Sequence, residues 1–383
     1  MEKGKILWSG VAVFALFHFM NHLYGLALPP LFPLIKEHFG VGNTETGLIR
    51  SGIALTMALF QFPLGASSDR IGRKRILALC FSVLIIATFF TSSATAFWML
   101  ILFQVILGIG LSGYHPVGIS AVADLAPKDK VGKAMSVQAI GGSLGVGLAP
   151  FVLAFLASIY GWRTPLQILA VAGLPFLLFF LLRTEETKGT KPGRVERSFP
   201  KLSLAVAFAI FFFLRAFVFK SITTFLPTYL VEVKGFSLGL GGFTTSILLL
   251  PGVFTLPVAG VIADRFDRVL IVVLSSLSSA LVLFLVVTYF PSGVLLYVLL
   301  ISLGVFLYLS FPAILSLVKE VSPGDEYGRT FGINFTMTAA SGTVAPVIVG
   351  YIGDLFSLGF AFRFLPILLF IAPFSILVVK NRI

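Results

Sequence analysis

Residues 65–75 read Gly65-Ala-Ser-Ser-Asp69-Arg70-Ile-Gly72-Arg73-Lys74-Arg75 and lie between two long apolar segments. A shorter copy, Gly260-Val-Ile-Ala-Asp264-Arg265-Phe-Asp267-Arg268, follows 195 residues later. The glycine lets a neighbouring helix approach closely, the acid suits a helix N-terminus, and the basic cluster favours the cytoplasmic side of a membrane. Because the pattern recurs at half the chain length, it predicts two equivalent corners between membrane helices in a duplicated protein.

The composition is that of a membrane protein that crosses the bilayer many times. Of the 383 residues, 57% are hydrophobic and 11% are charged, whereas soluble domains carry about 25% charged residues. On the topology below, 21 of the 28 Lys and Arg residues fall in cytoplasmic segments. This positive-inside bias accounts for the net charge of +12, so no nucleic-acid partner is predicted.

Twelve apolar stretches predict twelve transmembrane helices, because a spanning helix needs about 20 apolar residues and lipid satisfies no backbone polar group. The stretches are residues 8–35, 46–68, 75–95, 97–122, 134–158, 163–183, 202–231, 239–263, 269–290, 293–319, 330–353 and 360–379. The apolar start is interpreted as a retained first helix rather than a cleaved signal peptide. The even number and the basic loops place both termini on the cytoplasmic side of the plasma membrane.

The two halves of the chain align at a nearly constant offset. Asp124 matches Glu320, Gln138 matches Asn334, and Pro150 matches Pro346, each at an offset of 196 residues. The polar stretch 184–201 lies at the midpoint and predicts a cytoplasmic linker between bundles 1–183 and 202–383. The expected fold is therefore an all-α integral membrane protein with twelve transmembrane helices in two pseudo-symmetric six-helix bundles around a central cavity.

Histidines are the first candidate functional residues. His18 and His22 lie one turn apart in the first helix, on one face with Asn21. Because histidine changes charge near neutral pH, both are candidates for proton coupling together with His115, and Asn21 and His22 are candidate substrate contacts. Neutral imidazoles that bond between helices are the alternative. No metal site and no cofactor are predicted, since no third ligand is near in sequence.

Arg215 lies in the middle of the seventh apolar stretch and aligns with Asn21 at an offset of 194 residues. All sixteen acids fall in loops or near helix ends. An arginine at this depth without an intramembrane acid suits an anionic group on the substrate. The alternative is a bond to helix carbonyls. Lys220 is nearer the external end, where snorkelling explains it equally well.

Further candidate substrate contacts are polar residues at helical spacing on single faces, namely Arg50, Gln61, Gln104, Gln138 and Asn334. For Arg50 an interfacial anchor is the competing interpretation. Small residues follow Gln138 and Asn334, which predicts close helix packing beside a cavity.

The chain resembles the major facilitator superfamily over essentially its whole length, and the block at 65–75 resembles the cytoplasmic loop motif of that family. The runs His18–His22, Tyr114-His115-Pro116 and Gln138–Gly142 are similar to its fosmidomycin-resistance and drug-efflux branch. This resemblance implies alternating access with proton-coupled efflux of small organic anions or amphiphilic drugs. The alternative is uptake of a metabolite anion by symport or uniport.

The resemblance also implies roles for the conformational motifs. Gly65, Asp69, Arg70, Gly72 and Arg73 would latch the second helix to the eleventh in the outward-open state, with Asp264 and Arg265 as a weakened copy. Gly145 and Pro150 would correspond to the antiporter motif of the fifth helix. The sequence departs from the family at Gln104, where many drug antiporters carry a basic residue, and at His22, where an acid is usual. If protons are coupled, the histidines are therefore expected to carry them.

Other classes of protein lack their required residues. A lipid-modifying enzyme needs a nucleophile or metal constellation, and the one cysteine, Cys80, and the peripheral acids offer neither. An ATP-driven pump needs a Gly-x-x-x-x-Gly-Lys-Ser/Thr motif, which the sequence does not contain. A receptor with this fold would be excluded by net flux. The sequence therefore predicts a monomeric secondary transporter of a small molecule.

Overall fold

The computed structural model describes residues 2–127, 129–187, 202–321 and 326–380 of the chain. Within these ranges, side chains are described for residues 8–127, 129–187, 202–320 and 332–377. Most of the predicted linker, residues 188–201, lies outside the described residues.

Every regular element in the described part of the chain is a helix, and twelve helical spans are long and apolar enough to cross a membrane. The first six are α1 (Glu2–Gly25, then Phe32–Phe39), α2 (Asn43–Ile71), α3 (Arg73–Ser92), α4 (Phe97–Ser112, then Ile119–Leu125), α5 (Val131–Tyr160) and α6 (Arg163–Arg183). The second six are α7 (Leu202–Thr228), α8 (Leu238–Leu249, then Gly252–Arg265), α9 (Arg268–Tyr289), α10 (Val294–Val321), α11 (Glu326–Leu355) and α12 (Leu358–Ile371, then Phe374–Lys380). The predicted all-α membrane fold is confirmed.

Several of the spans are interrupted beside a proline, which has no N–H to donate to the helix, and α12 is one of them, because Pro373 lies between its two parts. α1 stops at Gly25 and resumes after Pro29 and Pro30, α4 widens into a π turn around Pro116, and α8 breaks at Pro251. Two of these interruptions, in α1 and α4, lie next to the predicted site residues. The freed backbone groups there must find other partners.

The two halves repeat the same helix contacts. α1 packs against α5 as α7 packs against α11, and across the halves α2 packs against α11 as α5 packs against α8. The corners repeat an ion pair as well, because Arg73 bonds Asp124 and Arg268 bonds Glu320. These pairs are related by offsets of 195 and 196 residues, which supports the duplication predicted from the sequence.

The bundle is closed at one end and open at the other. We call the end with Ile71, Arg183 and Arg265 the basic face and the end with Phe39 and Asn43 the far face. At the far face, Lys36 pairs with Glu232 at 2.6 Å, and Asp354 accepts the Asn43 backbone N–H at 2.7 Å. Towards the basic face, a cavity of about 860 Å³ separates α2 and α4 from α11. The sequence predicts that the basic face is cytoplasmic, which corresponds to an inward-open state.

The corner between α2 and α3 is built as the motif predicts, but its contacts are with the first half and with the start of the linker. Gly72 has φ 114° and a Cβ there would meet the Glu186 carboxylate, so only glycine fits this corner. Gly65 lies against Pro116 of α4, where a Cβ would be 3.0 Å away. The latch to α11 expected for the outward-open state is not made in this state by the described residues and stays a prediction for the opposite one.

The second copy of the motif has a different corner. Asp267 replaces the glycine and accepts the Leu270 N–H at 3.1 Å, so it caps the N-terminus of α9. The side chains of Asp264 and Arg265 make no hydrogen bond or ion pair with the described residues. The basic residue that makes contacts at this corner is Arg268, which bonds Glu320 and donates to the Ala263 carbonyl at 3.2 Å.

Candidate functional site

Three histidines meet beside the central cavity. His18 and His22 come from α1 and His115 comes from the π turn of α4. The Nε2 atoms of His18 and His22 are 3.1 Å apart, and the ring centres of His115 and His18 are 5.4 Å apart. The ligand nitrogens of all three lie within 4.8 Å of one another. The break in α4 therefore brings the third imidazole, distant in sequence, to the pair in α1.

His18 is held firmly by its surroundings. Its Nδ1 donates to the backbone carbonyl of Gln138 in α5 at 2.9 Å, and its ring stacks on Tyr114 with centres 4.4 Å apart. The Tyr114 hydroxyl donates to the Phe14 carbonyl at 2.8 Å and lies 3.2 Å from the Gln138 side-chain oxygen. Because the carbonyl only accepts, Nδ1 carries the proton and Nε2 of a neutral His18 keeps its lone pair.

Arg215 of α7 is oriented by α10. Its Nε donates to the Ser310 hydroxyl at 3.1 Å, and Nη2 donates to the Leu307 carbonyl at 2.7 Å. The guanidinium carbon lies 5.5 Å from the centre of the Phe311 ring. The predicted alternative, a bond to helix carbonyls, thus accounts for part of its donors. Three of the five guanidinium N–H groups make no bond to described residues and remain available to an anion.

Arg50 and Lys220 bring two further cations to the centre. Arg50 donates to the carbonyl of Gly25, one of the groups freed where α1 breaks. The side chain of Lys220 reaches Gly342 of α11, and its charge lies within Coulombic range of Arg50, His22 and His115. Arg50, Lys220 and Arg215 are all partly exposed and none is paired with a carboxylate among the described residues.

The other predicted substrate contacts divide into two groups. Gln61 lines the 860 Å³ cavity together with His115 and Phe62, so it is placed to meet a ligand. Gln104 is 3% exposed and donates to the Thr91 hydroxyl at 3.1 Å, which places it between α3 and α4 and away from the histidines.

Gln138, Asn334 and Asn21 are buried. Gln138 supports His18, as above, and the Asn334 side-chain oxygen lies 3.3 Å from the Thr338 hydroxyl. The Oδ1 atom of Asn21 has no hydrogen-bond partner among the described residues. Of the three, only Asn21 therefore has a free acceptor beside the histidine cluster.

The fifth helix approaches α1 closely, as its glycines predict. A Cβ on Gly141 would lie 2.0 Å from the Ala15 carbonyl oxygen, and one on Gly145 would lie 2.4 Å from the Phe19 carbonyl oxygen. On the other side of α5, a Cβ on Gly242 of α8 would lie 2.4 Å from the Pro150 carbonyl oxygen. Gly145 and Pro150 thus belong to the packing surfaces of α5 within and between the halves.

Sequence reasoning did not single out Tyr308 of α10. Its hydroxyl is buried, lacks a hydrogen-bond partner among the described residues, and lies within Coulombic range of Arg215. The ring lies where a Cβ on Gly252 would be, at the break of α8. A tyrosine in an apolar helix gives no signal by itself, and its position beside Arg215 depends on the packing of α7 on α10.

Curated relatives of the chain are transporters. The probable nitrate transporter NarT of Staphylococcus aureus strain JH9 is 24% identical over 357 residues, and NarT of strain Newman is 25% identical over 360 residues. Both similarities cover 91% of this chain and 90% of the relative.

Solved transporter structures share the fold. A bacterial homolog of the human lysosomal transporter Spinster, inward-facing and occupied, superposes with a TM-score of 0.81 at 17% identity over 97% of this chain and 96% of that one. The nucleoside transporter NupG gives 0.81 at 17% identity over 97% and 99% of the two chains. The human organic anion transporter MFSD10 gives 0.70 at 18% identity over 96% and 99%.

The family is shown by its sequence profile. The profile of the Major Facilitator Superfamily matches residues 10–253 and 238–382, which together span nearly the whole chain. The relatives are transporters rather than enzymes. The chain therefore belongs to the Major Facilitator Superfamily of transporters.

Proposed function

We propose that this protein is a secondary transporter of a small anion that works by alternating access. The observation that carries the proposal is the set of three cations, Arg50, Arg215 and Lys220, in the membrane interior without a paired carboxylate among the described residues. Unpaired charges at this depth are costly, and a bound anion removes that cost. The anion would therefore bind most tightly where both halves contribute cations.

The geometry divides the cations between the halves. Arg50 belongs to the first half, whereas Arg215 and Lys220 belong to the second. An anion between them interacts with both bundles, and rotation of one bundle against the other changes its distance to each cation. A ligand shifts a conformational equilibrium only through such differences in affinity between states.

The proposed substrate is a small oxoanion, since the guanidinium fork matches two oxygens of one group. The probable nitrate transporters among the relatives support this class. A second candidate is an organic anion, because the cavity of about 860 Å³ is lined mostly by apolar side chains such as Leu55, Phe62 and Phe335 and has the size of a drug-binding pocket. The predicted drug-efflux activity belongs to this second candidate.

Coupling and direction stay predictions. Proton exchange through the histidines was predicted from the sequence, with export as the main direction and uptake as the alternative. A secondary transporter moves its substrate along the summed gradients, so one preparation can test both directions. The purified protein is reconstituted into liposomes that contain nitrate. Uptake of labelled nitrate is then followed with and without an imposed pH gradient.

The test of anion binding uses a matched pair of arginines. Thermal stabilisation is measured with nitrate, acetate and methylphosphonate as sodium salts, and with tetramethylammonium chloride against sodium chloride as the cationic comparison. Arg215→Lys should weaken anion binding by about 10-fold or more, because the bidentate geometry is lost. Arg363→Lys, at an exposed position of α12, should leave it unchanged. Stabilisation by the cation alone, or equal effects of the two variants, would overturn the proposal.

A further inference from the structure

The histidine cluster has a second property that anion transport does not require. We propose that His18, His22 and His115 form a binding site for a divalent transition metal ion, with an open coordination position towards the cavity. Imidazole suits Zn²⁺, Cu²⁺, Ni²⁺ and Co²⁺. Three protein ligands with one position left for water or another ligand are the arrangement of catalytic zinc sites.

The distances between the imidazoles fit a common metal ion. Two nitrogens bound tetrahedrally to one Zn²⁺ at about 2.0–2.1 Å are roughly 3.4 Å apart. The Nε2 atoms of His18 and His22 are 3.1 Å apart, which is close to this separation. With all three ligand nitrogens within 4.8 Å of one another, His115 reaches the same centre by a small side-chain movement.

His18 already has the support that metal ligands need. Metal-bound histidines usually donate their other ring N–H to a carbonyl or carboxylate, which fixes the ring and its tautomer. The 2.9 Å bond from Nδ1 of His18 to the Gln138 carbonyl provides this and directs Nε2 to the cluster. Gly142 leaves the space for the ring, because a Cβ there would lie 2.3 Å from His18 Cε1.

The site is accessible from the cavity. His22 and His115 are partly exposed, and His115 lines the cavity that opens towards the basic face. All three ligands belong to α1 and α4 of the first half. The site therefore does not require contacts between the halves, and a rigid rotation of the bundles leaves its ligand geometry unchanged.

Lys220 opposes a dication at this site. Its ammonium charge interacts electrostatically with His22 and His115. Like charges repel, so the same ammonium group repels a metal ion held by these histidines. Removal of this charge should strengthen metal binding while it weakens anion binding. Lys220→Gln therefore separates this inference from the proposed anion transport, since the two predict opposite effects of one substitution.

The experiment titrates detergent-purified protein, with any affinity tag removed, with Co²⁺ and follows the visible d–d absorption. We expect one Co²⁺ per chain and displacement by Zn²⁺. His22→Gln or His115→Gln should each weaken binding by about 100-fold or more. The chain has four histidines, and the fourth, His38, pairs with Arg163 outside the cluster, so His38→Gln is the matched control. Thermal denaturation shows that each variant is folded.

Two results would overturn the proposal. One is the absence of saturable Co²⁺ absorption in the folded wild type, and the other is an equal loss of binding in His38→Gln and His115→Gln. Lys220→Gln should bind Co²⁺ about 5-fold more tightly or better, and unchanged or weaker Co²⁺ binding would contradict the assigned position. Weakened Co²⁺ binding in the cluster variants with intact anion stabilisation in the wild type would support both proposals independently.

Discussion

Asp354 at the end of α11 accepts the backbone N–H of Asn43, the first residue of α2, at 2.7 Å. The same carboxylate accepts the Asn43 amide at 2.9 Å and the Thr44 N–H and hydroxyl at 2.8 and 2.6 Å. It therefore caps, from the other half of the molecule, the N-terminus of a helix, where backbone N–H groups and the helix dipole favour an anion. This contact joins the two halves of the molecule at the far face.

The first prediction is that Asp354→Asn opens the far face. The amide of asparagine is neutral and has a single accepting oxygen, so the cap loses charge-assisted bonds worth about 1 kcal/mol at this exposed position, or roughly a 5-fold change in the equilibrium between states. Spin labels at Leu48→Cys and Phe356→Cys, in a Cys80→Ala background, report the distance between α2 and the end of α11 at the far face. A longer distance population should grow in the variant.

The control for this prediction is Glu37→Gln, which removes an exposed acid of the same face that makes no hydrogen bond or ion pair with the described residues. Its distance distribution should match that of the parent. If Asp354→Asn also matches the parent, the cap does not contribute to closure of the far face.

The second prediction compares the repeated ion pairs of the two corners. The Arg73 side chain is 8% exposed, whereas that of Arg268 is 30% exposed. The partner carboxylates, Asp124 and Glu320, are similarly exposed, at 37% and 36%, so loss of the ion pair itself costs little in either corner. The buried Arg73 side chain also loses its packing contacts when it is replaced. Arg73→Gln should therefore lower stability by about 2 kcal/mol and Arg268→Gln by less than about 1 kcal/mol. Denaturation midpoints in one detergent measure both, and a larger effect at Arg268 would contradict this.

The fold was predictable because its signals are local or repeated. Apolar length identifies the spans, and the offset of 194–196 residues identifies the duplication without any knowledge of contacts. The bounds were less predictable, since helices extend past the bilayer core. α2, for instance, begins at Asn43 rather than 46, because Asp354, 311 residues away, caps its N-terminus. Such a contact leaves no trace in a local window.

The site was predictable only as a set of candidates. Residue type and depth identified Arg215 and the histidines, since an ionisable group in a membrane helix is costly and usually has a function. Spacing did not reveal that the break of α4 brings His115 to His18, and it did not separate Gln61, at the cavity, from Gln104, between helices. These distinctions depend on the rotation of each helix about its axis, which packing decides.

The third prediction follows from that separation. Gln104→Leu should leave anion affinity unchanged and should lower stability by about 1 kcal/mol, because Thr91 loses a buried hydrogen-bond partner. Gln61→Leu should have the opposite profile, with a measurable loss of anion affinity and little change in stability. Anion-dependent thermal shifts report both quantities in one experiment. A loss of affinity in Gln104→Leu with normal Gln61→Leu would reverse the assignment.

The fourth prediction concerns the contact of α5 with α1. A Cβ on Gly141 would lie 2.0 Å from the Ala15 carbonyl oxygen, whereas a Cβ on Gly132, also in α5, has nothing within 4 Å. Gly141→Ala should separate the helices and destabilise the protein by about 2 kcal/mol or more, as overpacking does. Gly132→Ala should be neutral or stabilising by up to about 1 kcal/mol, since alanine favours the helix. Denaturation midpoints of the two variants decide this, and equal midpoints would mean that α1 and α5 can separate without loss of stability.

Separation of α1 from α5 would also move the Gln138 carbonyl away from His18. His115 and His22 would then lose the fixed partner on which the cluster depends.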